Sequence, residues 1–516
     1  MNSVRLLLST NHTKGSIMKP LFPVVLLCIL SLQLNAQWTN GQNASYVIGQ
    51  ANFTANAAAT TAAGLNKPWG LAVDDANQKL YVVDWGNHRV LRYALPITQN
   101  HPAAELVLGQ ADFTHGSGNR GAGGVTANTL NYPKGIAVYH DTLWVADYSS
   151  ERVLRFDNAH AITTNGAGAN AALGGASALT GYGAGTGQSG FYPGGLFVDN
   201  NGNLYVIDVN AHRILRFNNP SAKASNANAD GVLGQPDYTT TSPGTTASKL
   251  NNPYDGAFIG TTLFVADYGN HRVLKFNNAA AAANGAAADG VFGAADFTSA
   301  WSGTDVTWLI NNAAKATGYP VGVAATGNGE LLVGQNLPRI SIFENAVSIA
   351  NFSPADNVLG QPDLNTLNKA TAQNSFPGDM RDVVYSNSLN QLFVADFDGN
   401  RVLVFSSSVT GIGATAETPK QFGLSQNYPN PFNPSTVIKY QIVKNSMVTL
   451  RVFDLLGREV TTLVNGMKPA GAYTATFNAV NLPSGAYFCR LTANAVQMEK
   501  GQASTFIETK RLLLLK

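Results

Sequence analysis

The stretch Leu80-Tyr-Val-Val-Asp-Trp-Gly-Asn-His-Arg-Val-Leu-Arg-Tyr93 contains two apolar segments separated by a polar turn. Pro68-Trp-Gly70 and a further apolar strand precede it, and this whole cassette occurs six times at intervals of 57 to 67 residues. Short strands that repeat with so long a period are typical of a β-propeller, in which each repeat builds one blade. The sequence therefore predicts an all-β fold with a six-bladed β-propeller. The six copies span 68–93, 133–156, 193–217, 253–276, 320–343 and 377–405.

A second recurring motif, Val-Ile/Leu-Gly-Gln in its best copies, predicts the fourth strand of each blade. One copy, Val47-Ile-Gly-Gln50, precedes the first cassette, and none follows the last cassette. Six complete blades result only if this N-terminal copy pairs with the cassette at 377–405. We therefore expect an N-terminal strand to close the ring, because closure leaves no blade with an unpaired edge.

The most conspicuous polar residues repeat with the blades. An Asp ends the second strand in five copies, with Gly334 taken as its replacement in the fifth copy, and an Arg opens the third strand in all six. Repetition favours an ion pair that supports the turn over a catalytic role. His88, His212 and His271 share one repeat position in three separate blades, so convergence on a metal is not expected. The sequence predicts no metal site, no cofactor and no catalytic residue.

Two stretches, Val82-Val-Asp-Trp-Gly-Asn-His-Arg-Val90 and Val265-Ala-Asp-Tyr-Gly-Asn-His-Arg-Val273, resemble NHL repeats, the blades of six-bladed NHL propellers. The resemblance covers about 37–408. Amidating lyases of this class carry zinc-binding histidines at the start of inner strands, and lactonase-type propellers carry a calcium-binding Glu near the same point. We expect glycine at the corresponding positions here, which argues against lyase chemistry. These positions are Gly70, Gly135, Gly195, Gly256 and Gly322.

Residues that differ from blade to blade are the candidates for a ligand site at the channel mouth. They follow the strand-end Asp or belong to the Pro-x-Gly loops, which lie on the same face of a propeller. Aromatic rings with a few polar groups could bind a glycan, a peptide or a protein, although packing between blades is the alternative at each position. The candidates are Trp69, Trp85, Lys134, Tyr148, Tyr254, Asp255, Tyr268, Asp379, Arg381 and Phe397.

Composition restricts the partners and the means of stabilisation. Charged residues make up 12% of the 516-residue chain, and the formal net charge is +2. So small a net charge indicates no strongly basic surface that would bind nucleic acid. Cys28 and Cys489 are the two cysteines, and Cys28 lies in a segment expected to be removed, so no intrachain disulfide is predicted.

Residues 1–36 are predicted to form a signal peptide, with the true start expected at Met18. Lys19 precedes an apolar run over 21–34, and Leu34-Asn-Ala36 reads as a cleavage site. The run is shorter than the about 20 residues that a membrane-spanning helix needs. No transmembrane segment is therefore predicted in the mature chain.

The propeller pattern ends near residue 408, and 409–423 is predicted to be a linker. Strand patterns over 424–516 predict a small Ig-like β-sandwich. This region resembles the type A C-terminal sorting domain of the type IX secretion system in Val452-Phe-Asp-Leu-Leu-Gly-Arg-Glu-Val460, in Leu482-Pro-Ser-Gly-Ala-Tyr487 and in its basic-apolar end. The residues that carry the resemblance as a sorting signal are Asn427, Pro429, Pro431, Gly457, Gly485, Lys510, Arg511 and Lys516.

The second resemblance implies export by the type IX machinery to the outer-membrane surface or the exterior of a Gram-negative bacterium. Together the two resemblances predict a secreted or surface-attached binding or scaffold propeller, with a glycan, peptide or protein as its ligand. A secreted lyase or lactonase-type propeller enzyme is the alternative. A structural matrix protein without a defined pocket is a third interpretation.

Overall fold

A computed structural model describes the chain from residue 36 onward, with several gaps. The described ranges are 36–121, 124–175, 177–183, 187–299, 314–409, 421–443, 446–468, 471–480, 482–495 and 505–515. The predicted signal peptide up to residue 35, residues 410–420 of the predicted linker, and Lys516 lie outside the described residues. Internal contacts divide the chain into two compact units, Met1–Thr410 and Gly411–Lys516.

The first unit is all-β, and its described residues form six four-stranded antiparallel sheets beside one short strand pair. The short pair joins β1 (Ala36–Gln37) to β26 (Ser408–Val409). The strands of the six sheets are, in chain order, β2 (Tyr46–Ile48), β3 (Pro68–Asp74), β4 (Lys79–Asp84), β5 (Arg89–Ala94), β6 (Leu106–Leu108), β7 (Pro133–Tyr139), β8 (Thr142–Asp147), β9 (Arg152–Phe156), β10 (Ala171–Leu173), β11 (Pro193–Val198), β12 (Leu204–Asp208), β13 (Arg213–Phe217), β14 (Gly231–Leu233), β15 (Gly256–Ile259), β16 (Thr262–Asp267), β17 (Arg272–Phe276), β18 (Gly290–Phe292), β19 (Pro320–Ala325), β20 (Leu331–Gln335), β21 (Ile340–Phe343), β22 (Asn357–Leu359), β23 (Met380–Ser386), β24 (Gln391–Asp396) and β25 (Arg401–Ser406).

Every helix among the described residues is a short 3₁₀-helix. Seven of these eight follow the second or third strand of a sheet, and the four that follow a second strand lie in the short turn to the third strand. Their bounds are Trp85–Asn87, Gly118–Gly121, Tyr148–Ser150, Ala159–Ala161, Val209–Ala211, Pro220–Ala222, Tyr268–Asn270 and Ala279–Ala281.

The sixth sheet takes its fourth strand from the other end of the unit. Its strand order is β2-β25-β24-β23, and Val47 lies opposite Leu403. Val47 and Ile48 are fully buried and belong to two different hydrophobic clusters. Two side-chain hydrogen bonds also connect this segment with neighbouring sheets. Asn40 Oδ1 accepts the Val358 amide of β22, and Asn100 Oδ1 accepts the Val47 amide of β2. The N-terminal segment thus fills the place that β6 takes in the first sheet.

The hydrophobic core lies between consecutive sheets. Each of six clusters combines side chains from two neighbouring sheets, and the sixth and first sheets share the cluster that contains Ile48, Leu71 and Phe393. The first strands also contact one another in sequence order, and β23 contacts β3. Middle strands therefore bury both faces, which explains why their sequences are apolar at nearly every position.

The glycine of the Pro-x-Gly loops is required by this close approach. A Cβ at Gly70 would collide with the carbonyl oxygen of Lys134, and a Cβ at Gly135 would collide with that of Gly194. Glycine is the residue that permits such proximity of two backbones.

The repeated Asp and Arg form buried ion pairs. In the first sheet both side chains are fully buried, and Arg89 Nε donates to Asp84 Oδ2 at 2.7 Å. The same guanidinium donates to the carbonyl oxygens of Phe113, Thr61 and Gly64. Five sheets contain this pair at 2.6 to 2.8 Å. Each arginine therefore fixes two neighbouring loops to one turn, as the structural interpretation of the repeat expects.

The fifth sheet departs from the pattern at a different residue than the sequence analysis proposed. Its register pairs Pro320 with Gln335, as Pro68 pairs with Asp84, so Gln335 and not Gly334 occupies the Asp position. Arg339 Nε donates to Gln335 Oε1 at 3.3 Å. Burial without a carboxylate partner lowers the pKa of Arg339 to about 10. The turn is one residue shorter here, which displaced the alignment.

The three repeated histidines join neighbouring sheets. His88 Nδ1 accepts the Tyr132 amide at 3.0 Å, and His212 and His271 accept the amides of Asn252 and Tyr319. In the sixth sheet, Asn400 Oδ1 accepts the Lys67 amide in the same way. Burial lowers the pKa of all three histidines, in His271 to about 4. They are neutral acceptors at neutral pH.

The second unit contains two sheets that share one hydrophobic cluster. One sheet has the order β27-β28-β31 and the other β30-β29-β32-β33. Burial alternates along β28, and it places Ile438, Tyr440 and Ile442 in the cluster. The strands are β27 (Gly423–Leu424), β28 (Ser435–Ile442), β29 (Ser446–Phe453), β30 (Glu459–Lys468), β31 (Gly471–Asn478), β32 (Gly485–Ala495) and β33 (Thr505–Leu514).

Candidate ligand site at the channel mouth

The first strands of the six sheets surround a central channel. A cavity of about 230 Å³ in this channel is lined by residues of β3, β7, β11, β15, β19 and β23. Pro68 pairs with Asp84, so the loop before β3 and the 3₁₀-helix after β4 lie at the same end of the first sheet. We call the end of the channel where these loops and turns meet the mouth.

Trp69 is the centre of the mouth. Its ring lies 5.8 Å from Trp85, 5.6 Å from Phe397 and, nearly parallel, 6.3 Å from Tyr254 of the fourth sheet. Tyr254 in turn stacks on Tyr268 at 4.4 Å. Predicted site residues from three sheets therefore pack into one aromatic cluster. The packing alternative describes part of their role, and the binding role stays a prediction.

Two of the predicted site residues are cations that lie against this cluster. Arg381 is 4.7 Å from the Trp69 ring centre and 4.6 Å from that of Phe397, and it pairs with Asp379 at 3.1 Å. Lys134 Nζ is 3.4 Å from the Tyr148 ring centre and 5.0 Å from that of Trp69. Such contacts stabilise a cation by the quadrupole of the ring. All the predicted mouth residues except Asp255 belong to this assembly.

A cavity of about 220 Å³ opens beside Lys134. In the third sheet Val209 stands where four other sheets have Trp85, Tyr148, Tyr268 or Phe397, and this smaller side chain leaves the space open. The cavity is lined by Trp69, Lys134, Tyr148, Gly194, Gly195, Val209, Asn210, Asn252 and Tyr254.

Sequence reasoning missed several mouth residues that share one repeat position. Tyr132 lies 4.7 Å from Trp85 and is 40% exposed, Tyr319 lies 5.3 Å from Tyr268, and Lys67 lies over Phe397. Together with Asn252, each directly precedes the proline of its cassette and has a positive φ of 50 to 54°. The same criterion of variation between blades, applied one residue earlier, would have found them.

Asp255 does not lie at the mouth, as predicted, but deeper in the channel, where it faces Asp382. The register places Asp255 and Asp382 where the first sheet has Gly70, and Gly256 where it has Leu71. The predicted glycine position of the fourth sheet was therefore wrong by one residue, because Asp255 and not Gly256 occupies it. Val323 N donates to Asp255, Leu71 N and Val383 N donate to Asp382, and the two carboxyls hydrogen-bond each other.

Burial raises the pKa of Asp255 to about 7, and burial followed by the charge of Asp255 raises the pKa of Asp382. The pair therefore keeps a shared proton up to neutral pH, as expected for two carboxylates at one site.

The Asp255→Asn variant should change the pH dependence of stability. A raised folded-state pKa stabilises the fold at low pH, and this contribution is lost as pH rises through about 7. The amide can donate to Asp382 in place of the shared proton. We therefore expect the melting temperature of the variant, relative to that of the parent, to be higher at pH 8.5 than at pH 5.5. A difference between the two proteins that does not change with pH would contradict the shared proton.

Within the described residues no three His, Cys, Asp or Glu side chains come close enough together to hold a metal ion. None of the described helices has the length and hydropathy needed to cross a membrane.

Most of the predicted sorting residues lie on or beside β32 and β33 or in the segment that precedes β28, whereas Gly457 lies in the turn between β29 and β30 at the other side of the sheet. Asn427 is buried and donates to the Pro429 carbonyl and to Thr436 Oγ1 at 3.0 Å. The carbonyl of Arg511 in β33 accepts hydrogen bonds from Gln426 and Asn430, which flank Asn427 and Pro431. Gly457 lies in the turn from Asp454 to Arg458 with φ +77°. Gly485 begins β32 opposite Leu514, and Lys510 pairs with Glu508 at 2.9 Å.

Two family models match segments of the chain, one in each unit. Residues 65–93 match the NHL repeat, which is a propeller blade. Residues 426–501 match the secretion system C-terminal sorting domain. The chain therefore contains an NHL repeat at 65–93 and a secretion system C-terminal sorting domain at 426–501. This domain indicates export by the type IX secretion system, to the cell surface or the exterior of a Gram-negative bacterium.

Solved structures of similar fold are distant. A gluconolactonase from Xanthomonas campestris is 17% identical over 67% of this chain and 87% of its own, with a TM-score of 0.35. Virginiamycin B lyase from Staphylococcus aureus is 10% identical over 66% of this chain and 95% of its own, with a TM-score of 0.36. Hydrazine synthase from Kuenenia stuttgartiensis is 12% identical over 67% and 97%, with a TM-score of 0.40. No curated protein matches the chain.

Proposed function

We propose that this protein is a secreted or surface-attached binding module, in which a closed six-bladed propeller over 37–408 presents its mouth to a glycan, a peptide or a protein. The N-terminal strand β2 closes the ring in this proposal. A signal peptide over 1–36 directs the chain out of the cytoplasm. The linker over 409–423 leads to an Ig-like sorting sandwich over 424–516, which the type IX machinery recognises.

The observation that carries the proposal is the chemistry gathered at the mouth. Side chains from separate sheets converge there, and they are the ones that differ between repeats. Trp85 Nε1 and Arg381 Nε are buried without a hydrogen-bond partner among the described residues. Because buried polar atoms are nearly always paired in folded proteins, such atoms at a rim favour a site that a ligand completes.

The Trp85→Ala variant tests this role on a glycan array and a peptide array. We expect Trp85→Ala to reduce capture at least tenfold, because a buried aromatic anchor is typical of binding hot spots. Tyr139→Ala is the matched control, since Tyr139 is also a partly buried aromatic residue but lies at the turn between β7 and β8, away from the mouth. Capture that both variants leave unchanged, with melting temperatures equal to the parent's, would overturn the proposal.

The enzyme alternative is supported by one observation. Asp255 and Asp382 lie near the point at which lactonase-type propellers carry a calcium-binding Glu. Calcium binding by the purified protein, with lactone hydrolysis that is lost on chelation and in Asp382→Asn, would favour this alternative. Absence of lactone hydrolysis in calcium-saturated protein would argue against it.

A further inference from the structure

We propose that the cavity beside Lys134 is a subsite for a single acidic sugar residue, whose carboxylate pairs with the Lys134 ammonium. This inference rests on the proposed binding function and adds the chemical class of the ligand. Three independent features of the cavity carry it: an unpaired cation, its size, and the kind of polar groups that line it.

The first feature is the charge. Lys134 has no carboxylate within 4.0 Å among the described residues, and the charged group that acts on it is another cation, Arg381. Asp379, an acid of the mouth, is already paired with Arg381. Burial and the charge of Arg381 lower the pKa of Lys134 to about 8. An anion bound in the cavity would supply the missing partner, since buried cations are generally paired.

The second feature is the size. About 220 Å³ is below the about 300–1,000 Å³ of pockets for drug-sized ligands, so the cavity admits one small ring rather than an extended chain. Gly194 and Gly195 form part of its wall, and a Cβ at Gly195 would collide with the Tyr254 carbonyl oxygen. This part of the wall therefore cannot move outward. The cavity accordingly holds one sugar residue, which is either free or at the end of a chain.

The third feature is the lining. Tyr148, Tyr254 and Trp69 present aromatic surface, against which the C–H face of a sugar ring can pack. The side-chain amides of Asn210 and Asn252 make no hydrogen bond to another described residue, and an amide both donates and accepts. Sugar hydroxyls also do both, whereas the side chain of an acidic amino acid offers acceptors alone. The combination therefore favours an acidic sugar over an acidic peptide.

Titration of the parent protein with D-glucuronate and D-glucose, followed by calorimetry, tests the inference. We expect glucuronate to bind at least tenfold more tightly than glucose. Lys134→Gln should lose this tenfold preference and leave glucose affinity within twofold, while Lys134→Arg retains the preference. Lys223→Gln is the control, because Lys223 is a cation that pairs with Asp230 away from the channel.

Equal affinities for the two sugars, or a preference that survives in Lys134→Gln, would overturn the inference. Tighter binding of a glutamate-containing peptide than of glucuronate would also overturn it. A neutral ligand whose capture requires Trp85 but not Lys134 would reject the acidic sugar and preserve the proposed function. Failure of the parent protein to capture any glycan, peptide or protein would reject both.

Discussion

Deletion of residues 37–54 is expected to abolish the cooperative thermal unfolding of the propeller and to cause aggregation. The deletion removes β2, so β25 loses the partner that Val47 provides at Leu403. It also removes the buried side chains of Val47 and Ile48 from two hydrophobic clusters. Gln50, which is buried and donates to the Asn400 carbonyl oxygen, is lost as well.

The physical reason for so large an effect is the position of these contacts in the fold. An unpaired β25 would present a row of free amide and carbonyl groups, which is a template for pairing with another chain. Fully burying one Val or Ile side chain contributes about 1.5–3 kcal/mol, and whole domains are stable by only about 5–15 kcal/mol.

Calorimetry and light scattering of the purified chain measure the outcome. A chain that begins at Gln37 serves as the control, because it lacks the predicted signal peptide but retains β2, and we expect it to melt as the parent does. If the deletion variant melts cooperatively at the parent's temperature and remains monomeric, the N-terminal strand does not hold the ring together.

Periodicity was sufficient to locate the strands of each sheet. The repeat depends on short-range sequence: a Gly-bounded apolar strand, a polar turn and an Arg that opens the next strand. The Asp84–Arg89 pair shows why, since its partners lie five residues apart and the pair recurs in five sheets. Counting the fourth-strand motifs likewise gave the expectation that Val47 lies beside the last cassette, and β2 pairs with β25 in the structure.

Alignment of the copies by their prolines could not give the register at the irregular start of the first strand. A register shift separates Pro68 from Leu71, and the sixth sheet begins its pairing at Met380 instead of at Pro377. An error of one residue in the fourth copy and of three residues in the sixth conceals a carboxyl pair, because Asp255 then appears to precede the glycine position and Asp382 to follow it. Gln335 was not recognised as the partner of Arg339 for another reason, because the turn between β20 and β21 is one residue shorter than the corresponding turn in the other five sheets.

Contacts between side chains of sheets on different sides of the channel could not be predicted from the sequence either. Trp69 and Tyr254 belong to the first and fourth sheets, and nothing local to either residue indicates that their rings stack. The repeat predicts that both lie at the mouth, but the size of the neighbouring side chains decides whether the mouth is filled or open. Val209 shows this, because the residue that breaks the aromatic series is the one beside the cavity.

Arg272→Met should destabilise the propeller by about 3–5 kcal/mol, since it leaves a buried carboxylate without its counter-charge. Arg272 is fully buried and donates to Asp267 at 2.8 Å, as well as to the carbonyl oxygens of Phe297, Thr246 and Lys249. The measurement is the shift of the propeller transition in calorimetry of the full chain. Lys223→Met is the matched control for loss of a partly exposed ion pair, with an expected cost of about 0–1 kcal/mol.

A double-mutant cycle with Asp267→Asn separates the ion pair from the arginine's bonds to the loops. Asp267 also accepts the Asn251 amide at 2.7 Å and the Asn270 side chain at 2.8 Å, and an Asn at this position can still accept one of these donors. The double variant should therefore cost less than the sum of the two single variants, because no buried charge is left unpaired. Strict additivity would mean that the carboxylate does not depend on its arginine. The repeated pair would then support the turn through hydrogen bonds alone, and the 2.6 to 2.8 Å contact found in five sheets would be a consequence of the turn geometry instead of its cause.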